Sequence, residues 1–142
     1  MVLTSLLVSA NAALAEDYTV DFGADTDRGR DAGTLYCWLG KACEGKMESL
    51  GLKVRVLVSP TNTATARIEL NGTNAGCCYF AYAKDSVIVD ARASLSRVQM
   101  FRGMRSRGGL FVENEGAGTL YLKFHLEDRI IHEDWKNQHG TY

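Results

Sequence analysis

Proline is nearly absent from this 142-residue chain, which contains one, Pro60. Neither sign of charge prevails, with 16 lysines and arginines against 17 aspartates and glutamates. That balance excludes the chain as a whole from the polyanion binders, so nucleic acid is not an expected partner. Local enzyme signatures are missing too: there is no G-x-S-x-G elbow, no H-E-x-x-H and no phosphate-cradling glycine loop ahead of a helix. Ser, His and Asp all occur, but nothing local places them together as a triad. The three histidines, His125, His132 and His139, are spaced by seven without an H-x3-H pair, a poor arrangement for zinc. After residue 15 no segment approaches the roughly 20 apolar residues of a membrane-spanning helix. Low-complexity tracts and internal repeats are lacking.

What is present begins with a leader. Residues 1–15, MVLTSLLVSANAALA, are apolar and small, and the composition then switches abruptly to Glu16-Asp17. Ala13-Leu14-Ala15 fits the small-x-small pattern of signal-peptide cleavage, which places the cut after Ala15. No Lys or Arg precedes the apolar stretch, the one departure from such a leader. The expectation is a signal peptide at 1–15 and a single exported domain at 16–142, secreted or periplasmic. A chain of that size buries roughly two-thirds of its unfolded surface, so a core forms without help from metal or bridges.

Hydrophobic periodicity separates two regimes. Between Thr34 and Leu50 the residues Leu35, Leu39, Cys43, Met47 and Leu50 fall at steps of four, four, four and three, which predicts a short helix, weakened by Gly40 and Gly45. After Gly51 the period drops to two. Leu52, Val54, Val56 and Val58 alternate with Lys53 and Arg55, and Ala64, Ala66, Ile68 and Leu70 with Thr65, Arg67 and Glu69, across a hairpin-length loop at 59–63. Strands are further expected at 18–22, 77–83, 86–93 and 95–101, and a final hairpin pairs 109–114 with 119–126 around Glu115-Gly116-Ala117-Gly118. A second short helix is expected within 128–138. Many short strands at roughly ten-residue spacing predict a mainly β fold, an antiparallel sandwich or barrel.

The four cysteines, Cys37, Cys43, Cys77 and Cys78, are expected to form structural disulfides. On a helix Cys37 and Cys43 would lie about 120° apart and ~9 Å along the axis, too far for a bridge. Cross-pairing with Cys77 and Cys78 is therefore the first expectation, stapling helix to sheet. The alternative is a Cys37–Cys43 bond plus a vicinal Cys77–Cys78 bond. A third arrangement leaves thiols to act in redox chemistry or to hold a soft metal with Met47, Met100 or Met104.

Arg92, Arg97, Arg102, Arg105 and Arg107 occur with no acid between Ala91 and Val112. The stretch 102–109 reads as a basic loop whose guanidinium groups suit phosphate, sulfate or carboxylate. The outward residues of the last strand, Tyr121, Lys123 and His125, form a second candidate surface. Asp25-x-Asp27 resembles the start of a calcium loop, but Gly29 falls one position before the required glycine and the closing glutamate is absent, Tyr36 standing at the twelfth position. Asn71-Gly72-Thr73 is a glycosylation sequon in an expected turn. Together these features predict an exported, disulfide-stabilised, non-catalytic binding protein that requires no cofactor. Its ligand contacts are expected at Arg102, Arg105, Arg107, Tyr121, Lys123 and His125, and its partner is an envelope or extracellular protein or an anionic glycan or lipid. A metal-handling or redox protein built on the cysteines, and a small hydrolase, are the rival readings.

Overall fold

The computed structural model describes residues 16–72, 77–103 and 115–126. The leader expected at 1–15, Arg105, Arg107, the strand expected at 109–114 and the helix expected within 128–138 lie outside the described residues. Among the described residues nine strands form two antiparallel sheets: β1 Tyr18–Thr26, β2 Gly29–Cys37, β3 Cys43–Met47, β4 Leu52–Ser59, β5 Asn62–Gly72, β6 Cys77–Tyr79, β7 Ser86–Asp90, β8 Ser96–Arg102 and β9 Glu115–Leu126. The first sheet runs β2-β1-β9-β8-β6 and the second β3-β4-β5-β7. The fold is mainly β, as the alternation required.

The long strands β1, β4, β5 and β9 bury one side of their pleat. Tyr18, Val20, Phe22 and Ala24 of β1 meet Leu120, Leu122 and Phe124 of β9 on the inner face of the first sheet. Leu52, Val54, Val56 and Val58 of β4 with Ala66, Ile68 and Leu70 of β5 supply the other sheet, and all belong to one core. At the β2–β3 side the packing depends on missing side chains. A methyl on Gly33 would stand 2.8 Å from the Phe22 ring, and one on Gly45 would stand 2.7 Å from it and 2.8 Å from Leu35. The ring of Phe22 thus fills the space two glycines leave on facing edge strands, and the sheets close tightly there.

The helix expected over 34–50 is not formed. Residues 29–37 and 43–47 are strands, joined by a turn and followed by a single 3-10 turn at Glu48–Leu50. The cause lies in the spacing itself. Positions 35, 39, 43 and 47 recur every four residues, which fits a helical stripe but is also a multiple of the strand period of two. Leu35, Cys37, Gly45 and Met47 are indeed the buried positions of two alternating strands.

The first-choice cysteine pairing fails with the helix. Cys37 bonds Cys43 with Cα atoms 5.5 Å apart, and Cys77 bonds Cys78. The turn at 38–42 carries the chain from the edge of one sheet to the edge of the other, held by Gly40 N–H donating to the Val58 carbonyl at 2.8 Å and Leu39 N–H to Asp17 at 2.8 Å. Cys77 and Cys78 lie on β6, at the opposite edge of the first sheet from β2. Four inter-strand spacings of ~4.8 Å make about 19 Å, far beyond disulfide reach.

The expected turn at Glu115–Gly118 is also strand. Met100 pairs with Gly118 and Phe101 with Gly116, so Ala117 is an extra residue bulged into β9. Gly118, at φ +148°, lies so close to β1 that a Cβ would run into the Asp25 carbonyl. Glycine here permits a bulge and a close strand approach rather than a reversal. β9 therefore pairs with β8 on one side and β1 on the other.

Candidate functional site

The outer face of β2-β1-β9 gathers the sequence-predicted residues of the last strand with partners no local pattern revealed. Register fixes the lateral rows. His125 lies beside Thr19 and Tyr36, Lys123 beside Asp21 and Thr34, and Tyr121 beside Gly23 and Ala32. The inner-face alternation of Leu120, Leu122 and Phe124 turns Tyr121, Lys123 and His125 outward.

Asp21 is the hub of the middle rows. His125 Nε2 lies 2.8 Å from its Oδ2, and the Thr34 hydroxyl donates to its Oδ1 at 2.8 Å. These bonds, His125 first, hold the Asp21 carboxyl below its ordinary value of 3.8. In a catalytic triad the imidazole stands between hydroxyl and carboxylate. Here the carboxylate stands between Thr34 and His125, an arrangement that orders a surface and does not activate the hydroxyl.

Beside Tyr121 the side chains shrink to Gly23 and Ala32, leaving an open depression of about 630 Å3 lined by Gly23, Ala24, Asp25, Arg30, Asp31, Ala32 and Tyr121. Arg30 Nε bonds Asp25 Oδ1 at 3.1 Å at one end of it. Asp31 accepts from the Ser49 hydroxyl and the Ala32 N–H, both at 2.8 Å, and the Ser49 bond above all lowers its pKa. Sequence reasoning missed Gly23, Arg30 and Ala32, because a depression made by small neighbours on three strands leaves no linear signal.

Arg102 is placed differently from the expected basic loop. It ends β8, and its guanidinium pairs with Asp27 in the β1–β2 turn, which lowers the Asp27 carboxyl and raises Arg102. Its side chain is 19% exposed. Arg102 thus ties the end of β8 to a turn, while Arg105 and Arg107 lie outside the described residues. The aspartates that suggested calcium are engaged as well, Asp25 with Arg30 and Asp27 with Arg102. Among the described residues no three His, Cys, Asp or Glu side chains converge as metal ligands. Met47 and Met100 are wholly buried in the core, and none of the four cysteines is free.

Comparison with protein-family models, with curated proteins and with solved structures finds no match.

Proposed function

We propose that the chain is an exported, disulfide-stabilised, non-catalytic binding protein, with residues 16–142 as its mature domain. Its recognition surface is the outer face of β2-β1-β9. The observation that supports this reading is the depression beside Tyr121, flanked by the ordered polar row of Thr34, Asp21 and His125. A concave patch with an aromatic and a few fixed polar groups is the usual form of a small binding site. The leader and the bonded cysteines fit an oxidising compartment. The partner is an envelope or extracellular molecule.

Two measurements test the reading. Intact mass of protein produced with its own leader is expected to show a chain that starts at Glu16 and is four hydrogens lighter than its reduced form. A full-length product with four alkylatable thiols would overturn export. A photo-crosslinking side chain at Lys123 is expected to form an adduct in the exported compartment, while the same group at Ile88, on the outer side of the other sheet, is not. No adduct from Lys123, or equal adducts from both, removes the assigned surface.

A further inference from the structure

We infer that the depression beside Tyr121 is a subsite for one neutral sugar unit of a saccharide chain. This rests on the outer face of β2-β1-β9 being the recognition surface, and it names the ligand class. Three features of the site converge on that chemistry. The first is shape. Tyr121, Gly23 and Ala32 are lateral neighbours on β9, β1 and β2, so one half-buried aromatic stands next to two positions with almost no side chain. The trough is open along the face, which suits an internal unit of a chain better than an enclosed small molecule.

The second is the mixture of apolar and polar groups. A pyranose ring offers an apolar C–H face that packs on an aromatic side chain, and a rim of hydroxyls that both donate and accept. At the end of the trough the Asp25 carboxylate accepts and the Arg30 guanidinium donates, held 3.1 Å apart. Hydroxyl pairs use such an alternation fully, and an aliphatic chain uses none of it.

The third is charge. The lining holds two carboxylates and one guanidinium, and Asp25 and Arg30 already compensate each other. Within this lining no surplus positive charge remains to draw an anionic glycan or a phospholipid headgroup, whose recognition calls for surplus Arg or Lys, and Arg97 of β8 lies across Tyr121 on the side away from Gly23 and Ala32. A neutral polyol meets no such requirement.

The test is titration calorimetry of the mature protein with neutral tetrasaccharides of glucose, galactose, mannose and N-acetylglucosamine. Heparin and phosphatidylglycerol vesicles serve as the anionic arms. At least one neutral tetrasaccharide is expected to bind with a Kd on the order of 1 mM or tighter. Tyr121→Ala is expected to weaken it about tenfold by removing the packing face. Ala32→Leu, which fills the trough from an exposed position, is expected to weaken it by a similar factor. Ile88→Thr on the opposite sheet is expected to leave it unchanged, and thermal melts of all three variants separate lost binding from lost folding. Binding of the anionic arms alone, of no saccharide, or equally by wild type and a folded Ala32→Leu overturns the inference. If an adduct still forms from the crosslinker at Lys123 in those cases, the binding surface stands and only the sugar assignment falls. If no adduct forms either, both fall.

Discussion

The Asp21 carboxylate and the His125 imidazole lie 2.8 Å apart although 104 residues separate them in the chain. They meet because β1 and β9 run antiparallel with Thr19 opposite His125 and Asp21 opposite Lys123. The contact therefore reports the register of two adjacent inner strands of the first sheet. It also supplies a titration that can be followed residue by residue.

Asp21 is held below the ordinary carboxyl value by His125 first and Thr34 second. A carboxyl whose folded pKa is depressed contributes stability that is present above its unfolded pKa and fades as pH falls through the lowered folded value. His125→Ala is expected to return the Asp21 titration upward toward 3.8, as read by carboxyl carbon NMR. The pair is about half exposed, so the accompanying loss of stability at neutral pH should be small, ~0.2–1 kcal/mol. An unmoved Asp21 titration would show that the contact is not maintained in solution.

Tyr18 sets the opposite limit of the pH range. Burial pushes its phenol up from 10.0 to about 12, with the nearby Val58 backbone offsetting part of the rise. The geometry falls short of a hydrogen bond, however, and the hydroxyl has no partner among the described residues. A group with a raised folded pKa contributes stability below its unfolded value and loses it as pH climbs through the folded one. Wild-type stability is thus expected to fall between pH 10 and about 12, by on the order of 2 kcal/mol. Tyr18→Phe should flatten that alkaline slope. It should also cost nothing at pH 7, because a buried unpaired hydroxyl is itself a penalty. Denaturant melts across the alkaline range check both expectations.

Gly45 is expected to be the most size-sensitive position on β3. The methyl of Gly45→Ala would enter space held by Phe22 and Leu35, and overpacking of that kind costs ~1–3 kcal/mol. Phe22→Leu alone should also destabilise, by leaving a void over Gly33 and Gly45. Combined, the two changes should be less damaging than the sum of their separate effects, since one vacates what the other fills. Strict additivity in urea melts would mean that the ring does not occupy this space.

Trypsin under non-reducing conditions should read the cysteine pairing directly. Lys41 lies between Cys37 and Cys43, so Asp31–Lys41 is expected to remain joined to Ala42–Lys46. Ile68–Lys84 should appear alone and two hydrogens light. Replacing Cys37 and Cys43 by Ala should cost about 2 kcal/mol from loop closure over six residues. A map showing Asp31–Lys41 joined to Ile68–Lys84 would restore the cross-paired arrangement.

The alternating segments were legible because burial of one sheet face imposes a period that no helix shares. Val54, Val56 and Val58, and Leu120, Leu122 and Phe124, are buried as their alternation demands. The segment 34–50 was illegible for the converse reason. Its step of four satisfies both periods, and the choice between them rests on tertiary relations, the pairing of β2 with β1 and of β3 with β4 and the packing of Gly33 and Gly45 against Phe22. The glycines at 116 and 118 were ambiguous in the same way, since a turn and a bulge draw on the same residue.

The candidate surface divides along a similar line. Tyr121, Lys123 and His125 could be assigned to one outward face from their own strand, because side-chain direction is a local property of the pleat. Their neighbours could not. By itself the sequence determined that this chain makes a mainly β fold with alternating buried faces, and that Tyr121, Lys123 and His125 turn away from the core, because both follow from backbone geometry over a few residues. Only the tertiary structure decided that Cys37 meets Cys43, that Arg102 binds Asp27, and that Gly23 and Ala32 open a trough beside Tyr121. Those relations depend on which strands lie side by side and in what register, and that is set by the joint packing of two sheets around one core.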